Sequence, residues 1–154
     1  MFKSTVIFLA LVVCCQSQTN LLNRITNFSI RPQQSVSVSG RFMCNGRPAN
    51  NVKVKLYDND HFTLDDLMAN GYSDANGAFR LQGSANEYTN ITPKLNVYHR
   101  CNYTPLIPTC YQKFSIRIPN DYITRGPVAQ RVFDVGTLNL EAKYAGQGRD
   151  CLNK

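Results

Sequence analysis

Between residues 35 and 140 the apolar positions recur every second residue. Val36, Val38, Gly40, Phe42 and Cys44 alternate with Ser35, Ser37, Ser39, Arg41 and Met43, and Val52, Val54 and Leu56 alternate with Lys53, Lys55 and Tyr57. Shorter runs repeat the pattern at Phe79 and Leu81, at Leu95 and Val97, and at Phe114, Ile116 and Ile118. A period of two sends successive side chains to opposite faces, so each run reads as a half-buried strand. Gly, Pro or Asn bounds every run, as strand ends require. Phe133, Val135, Leu138 and Leu140 keep the period except for one skipped step at Gly136, which predicts a β-bulge. Six or more such strands predict an all-β chain, folded as a two-sheet antiparallel β-sandwich.

Helix signals are few. Thr63-Leu64-Asp65-Asp66 has the form of a capping box, and Leu67-Met68-Ala69 continues it up to Asn70-Gly71. That predicts one short helix of at most two turns. Ser84-Ala85-Asn86-Glu87 has the same form, but Pro93 limits what can follow. The stretch 125–130 reads as a loop, and the end of the chain is Gly-rich and polar.

Composition narrows the class. The chain has 154 residues, a net charge of +7, 43% hydrophobic and 18% charged residues. This excludes an acidic disordered chain, a coiled coil and a collagen-like repeat. Lys3, the apolar run from Val6 to Val13 and Cys14-Cys15-Gln16-Ser17 form a secretory leader cut before Gln18. The run falls short of the roughly 20 residues that span a bilayer, so no transmembrane anchor is expected. The expected organisation is a signal peptide over 1–17, a lead-in over 18–33, a sandwich domain over 34–143 and a tail over 144–154.

In an oxidising compartment the remaining cysteines, Cys44, Cys101, Cys110 and Cys151, are expected to form disulfides. Three pairings are open. Proximity along the chain favours Cys101 with Cys110, which leaves Cys44 for Cys151. There is no Cys-x-x-Cys and there are only two histidines, so zinc is not expected. Sequons at Asn27, Asn90 and Asn102 are candidate glycosylation sites. Asp58, Asp60, Asp65 and Asp66 are weak candidates for oxygen ligands of Ca²⁺. Their spacing is not that of an EF-hand, and turn and helix-cap roles explain them better. His61 lies in this polar loop. His99 takes the inward phase of its strand, where a core histidine bonded to a backbone group is expected.

Two turns carry a family signature. Gly46-Arg47-Pro48-Ala49, the valine strand after it and Asp74-Ala75-Asn76-Gly77-Ala78-Phe79 resemble the transthyretin superfamily. Four further pieces narrow the resemblance: Leu56-Tyr57-Asp58-Asn59-Asp60, Asp65-Asp66-Leu67, Leu95-Asn96-Val97-Tyr98-His99-Arg100-Cys101 and Phe133-Asp134-Val135-Gly136-Thr137-Leu138. Together they resemble the secreted transthyretin-like family of nematodes over roughly residues 34–143. The resemblance implies a transthyretin-like, Ig-like sandwich of seven to eight strands. Members of that family are often released by parasitic nematodes, so an effector acting on a host is one version of the function it implies.

The superfamily's hydrolase branch, which acts on 5-hydroxyisourate, supplies a test of catalysis. Its first site histidine falls at Ser39, its arginine at Ala78, and its second histidine near Asp134. Its terminal Tyr-Arg-Gly-Ser is met here by Lys143-Tyr144-Ala145-Gly146. Without imidazoles no group at these positions titrates near neutrality to activate water. No catalytic residue and no cofactor are therefore expected. The hormone-carrier branch needs a charged residue where Ser39 stands.

The basic excess points instead to a partner. Lys53, Lys55 and Tyr57 share one strand face; Tyr98 and Arg100, then Lys113, Ser115 and Arg117, take the outward phase of later strands. If these strands are neighbours, they form a cationic, aromatic-bearing face suited to an anionic lipid surface, a glycan or an acidic extracellular protein. The secretory route argues against nucleic acid. The leading expectation is a secreted, non-enzymatic binding protein. A carrier of a small hydrophobic ligand ranks second and a hydrolase last. Ligand identity and oligomeric state stay open at this level.

Overall fold

The computed structural model describes residues 31–59 and 65–152, and the chain from Pro32 onward forms a compact unit. Its strands are β1 (Gln33–Cys44), β2 (Arg47–Pro48), β3 (Lys53–Asp58), β4 (Asp66–Tyr72), β5 (Ala78–Asn86), β6 (Pro93–His99), β7 (Tyr111–Arg117), β8 (Thr124–Arg125), β9 (Val132–Asn139) and β10 (Gly148–Asp150). In the first sheet β1 pairs antiparallel with β2, β5 and β8 and parallel with β9. The second sheet is antiparallel throughout, in the order β10-β7-β6-β3-β4. All six runs with period two became strands, and the two sheets stack as a sandwich. Val36, Val38 and Phe42 of one sheet meet Val54, Leu56, Leu95, Val97 and Phe114 of the other in a single core. Each such apolar side chain contributes about 1.5–3 kcal/mol on burial.

Local chemistry sets the turns. Asn45 and Gly46 both take positive φ, 51° and 70°, which is the two-residue hairpin from β1 into β2. The Asp74 carboxylate accepts the amides of Asn76 and Ala78 at 2.8 and 2.9 Å and so closes the hairpin into β5. Gly77 is required there: its φ is +74°, and a Cβ would lie 2.3 Å from the Phe42 carbonyl oxygen. The expected bulge is present. Ser39 pairs with Asp134 and Arg41 with Thr137, so β9 carries one extra residue, and the Gly136 amide donates to the Asp134 carboxylate at 2.9 Å.

Three expectations are corrected. The short helix does not form over the described part of its segment: Asp66–Tyr72 is strand β4, hydrogen-bonded along β3, and Thr63 and Leu64 lie outside the described residues. A capping box offers little to a segment too short to offset helix nucleation, whereas the β3 edge satisfies its backbone groups. A single 3-10 turn, Asn120–Tyr122, is the helical element among the described residues. Ser84–Asn86 likewise belongs to strand β5. The disulfides are Cys44–Cys101 and Cys110–Cys151, so neither chain proximity nor elimination gave the right pairs. Cys44 ends β1 and Cys101 follows β6, so their bridge ties the two sheets together. Asp150 pairs with Tyr111 in the β10–β7 ladder, which sets the next residue, Cys151, beside Cys110. The polar tail is thus built into the second sheet, and Tyr144 stacks on Phe114 with ring centroids 4.0 Å apart.

Candidate partner-binding face

Alternation within β3, β6 and β7 leaves one set of side chains on the core and the other on the outer face of the second sheet. The register aligns the outer set in rows: Lys53 beside Tyr98 beside Lys113, Lys55 beside Asn96 beside Ser115, and Tyr57 beside Lys94 beside Arg117. The strands carrying the candidate residues are therefore neighbours, as the cationic-face expectation required. The Tyr98 ring lies at their centre, with the Nζ atoms of Lys53, Lys55 and Lys113 at 5.9, 5.8 and 5.5 Å from its centroid. These distances allow cation–π attraction to hold three like charges around one ring.

The face is not uniformly open. Tyr98 is 0% exposed, Tyr57 6% and Lys55 8%, although they stand on the outward phase. Burial pushes the Tyr98 hydroxyl up to about 12 and also raises Tyr57. It lowers the Lys55 ammonium, whose Nζ donates to the Tyr57 hydroxyl at 3.3 Å. These three residues form the floor of the face, and a partner would meet Lys53, Lys113 and Arg117 above them. Arg100 stacks on Tyr111 at 4.2 Å and donates to the Cys110 and Pro108 carbonyls, which pins the loop 101–109.

Two residues of the face had no place in the sequence expectations. Lys94 lies one step back from Asn96 in the outward phase of β6, and extending that phase would have found it. Its Nζ meets Asp65 and Asn59, each at 2.5 Å. Asp150, from the polar tail, meets the Lys113 Nζ at 3.3 Å. Nothing in the pattern marks Asp150, because only the β10 ladder brings it here.

The acidic loop does not converge. Asp58 is buried, and its carboxylate accepts the Thr92 amide at 2.6 Å. Asp65 pairs with Lys94, Asp66 lies exposed in β4, and Asp60 and His61 fall outside the described residues. Among the described residues no three His, Cys, Asp or Glu side chains group as metal ligands. Asn90 and Asn102 are exposed; Asn102 exchanges amide hydrogen bonds with Asn45 at 3.0 and 3.2 Å, and Asn27 lies outside the described residues. No helix of the described residues is long and apolar enough to cross a membrane. At the positions of the hydrolase constellation, Ser39 and Asp134 face each other in the β1–β9 ladder and Ala78 pairs with Arg41.

His99 departs from expectation. It is 2% exposed, as its inward phase predicted, but neither ring nitrogen has a hydrogen-bond partner among the described residues. Burial alone pushes its pKa down to about 4.

A sandwich stapled across its sheets by one disulfide and along one edge by another, with a cationic face on one sheet, defines a small disulfide-bonded β module. The Transthyretin-like family model matches residues 39–119. Transthyretin-like protein 5 of Caenorhabditis elegans is 46% identical over 121 residues, covering 78% of this chain and 86% of that protein. Transthyretin-like protein 46 of the same nematode is 46% identical over 120 residues, covering 77% and 66%. Transthyretin-like protein 2 is 40% identical over 126 residues, covering 78% and 84%. The chain belongs to the transthyretin-like family. A solved 9R-lipoxygenase from Cyanothece aligns at 21% identity over 69% of this chain and 16% of its own, with a TM-score of 0.38.

Proposed function

We propose that this chain is a secreted, non-enzymatic binding protein that recognises an anionic extracellular or cell-surface partner, a lipid surface or an acidic host protein, through the outer face of its second sheet. The observation that carries this reading is the register of Lys53, Lys94, Lys113 and Arg117 across adjacent strands over a tyrosine floor. Aligned cations attract an anionic surface and orient its approach. The leader pattern and the two disulfides support an extracellular setting. Ser39, Ala78 and Asp134 in place of the hydrolase groups support a role without turnover. A small-ligand carrier is less well supported, because packed side chains such as the Phe42–Phe79 stack, 4.7 Å between centroids, fill the space between the sheets.

Charge reversal tests the reading. Lys53→Glu with Arg117→Glu exchanges two accessible cations for anions and leaves the tyrosine floor in place. Binding to vesicles containing phosphatidylserine, or to an acidic extracellular protein, is expected to weaken at least tenfold and to become less salt-sensitive. Unchanged binding to both would remove this face as the partner surface.

A further inference from the structure

The basic face already holds one carboxylate, and the chain itself supplies it. Asp150 meets the Lys113 Nζ at 3.3 Å, and its side chain is 17% exposed. Its charge also bears on Lys55, Tyr57 and Tyr98. The strand that delivers it is slight: β10 has three residues and, among the described strands, pairs with β7 alone. Gly148 lies directly opposite Lys113 in that ladder and brings no side chain, so the lysine leans to Asp150. The Cys110–Cys151 bridge keeps the strand beside this edge. A hollow of about 650 Å³ adjoins the pair, lined by Tyr57, Asn96, Lys113, Arg149 and Leu152 among others.

These features together describe a ligand seat with its occupant in place. Without Asp150, the half-buried Lys113 and the buried Lys55 would face one another around the Tyr98 ring with less compensating charge. Any incoming carboxylate would relieve that repulsion. The occupant is not only an acid but an acid on an extended backbone added to a sheet edge, and a sheet edge accepts a foreign strand by the same main-chain bonds.

We propose that the β7 edge and the Lys55–Lys113–Tyr57–Tyr98 cluster form a docking site for an extended, aspartate- or glutamate-bearing peptide segment of a partner protein, which Asp150 and β10 occupy in the free chain and which the partner enters by displacing them. This rests on the reading of the basic face as the partner surface and specifies its ligand and its gate. The tethering disulfide makes displacement reversible, because the freed strand stays close enough to return. Competition from this tethered strand keeps the free protein's affinity low.

The test uses the full mature chain and a fluorescein-labelled peptide, Gly-Gln-Gly-Arg-Asp-Ser-Leu, which copies residues 146–152 with serine for the cysteine. A second peptide has asparagine in place of its aspartate. Anisotropy is expected to show weak binding to the wild-type chain. Binding should be at least tenfold tighter to the variant Asp150→Asn with Cys110→Ser and Cys151→Ser, which keeps the Cys44–Cys101 bridge. The asparagine peptide should lose that gain. Asp150→Asn alone, with both bridges intact, should give a smaller gain in the same direction, and Glu141→Gln, which removes an acid elsewhere, should give none. Equal affinity for both peptides, no gain in either Asp150→Asn chain, or an equal gain in Glu141→Gln would overturn the proposal. If Lys53→Glu with Arg117→Glu still abolishes vesicle or protein binding in that case, the partner face stands and only the strand gate falls. If the peptide result holds while those reversals change nothing, the site is real and the wider face is not its partner surface.

Discussion

His99 shows what one side chain can cost. Its ring lies edge-on to Phe114, centroids 5.9 Å apart, and its two nitrogens are buried without partners among the described residues. Its pKa falls from 6.5 to about 4 because burial penalises the imidazolium. The folded chain therefore keeps the ring neutral while the unfolded chain takes up a proton below pH 6.5. Stability is constant in this respect above pH 6.5 and declines as the pH drops from there to about 4. The full effect is about 3 kcal/mol from the linkage of proton binding to folding. Unfolding free energies from urea titrations at pH 7.0 and pH 4.5 are expected to differ by a large part of that amount in the wild-type chain. The gap should shrink in His99→Leu, which should also be more stable at both pH values. Parallel free energies in the two proteins across this window would contradict the assignment. The inward phase of His99 was legible from Leu95 and Val97, but its lack of a partner was not, because a period of two says nothing about which carbonyls come near.

At the scale of elements, what could be read depended on length and period. β1, β3, β5, β6, β7 and β9 declare themselves by alternation because each has one face on the core. β4 does not: Leu67 is 49% exposed and Met68 and Ala69 are half-buried, so its apolar residues form a cluster rather than a period. β10 contains no apolar residue at all, and its place follows from hydrogen bonds to β7. The Cys110–Cys151 bridge follows from that ladder and Cys44–Cys101 from the stacking of the sheet of β1 on that of β6, since the fold, not sequence separation, decides which sulfurs meet. Peptide mapping without reduction is expected to recover Cys44 linked to Cys101 and Cys110 linked to Cys151. A Cys101–Cys110 peptide would contradict the β10–β7 pairing. Replacing Cys44 and Cys101 together by serine should destabilise the sandwich by about 2–5 kcal/mol in denaturant titration, since that bridge joins the two sheets.

At the largest scale, the chain from Pro32 onward is a two-sheet sandwich whose second sheet carries the cations on its outer side. The candidate residues Lys53, Lys113 and Arg117 were legible from their phase, and their adjacency needed only the strand order β7-β6-β3. The burial of Lys55, Tyr57 and Tyr98 was not legible, because alternation assigns them to the outer face and says nothing about which neighbours cover them. Lys143 is exposed on a segment outside the described strands and provides an internal reference. The most direct measurement is lysine footprinting. The protein is acylated alone and in complex with phosphatidylserine vesicles or an acidic partner protein, and modification is read residue by residue by mass spectrometry. Lys53 and Lys113 are expected to be shielded in the complex while Lys143 reacts as before. Shielding of Lys143 with Lys53 and Lys113 unchanged would place the partner elsewhere and contradict the account.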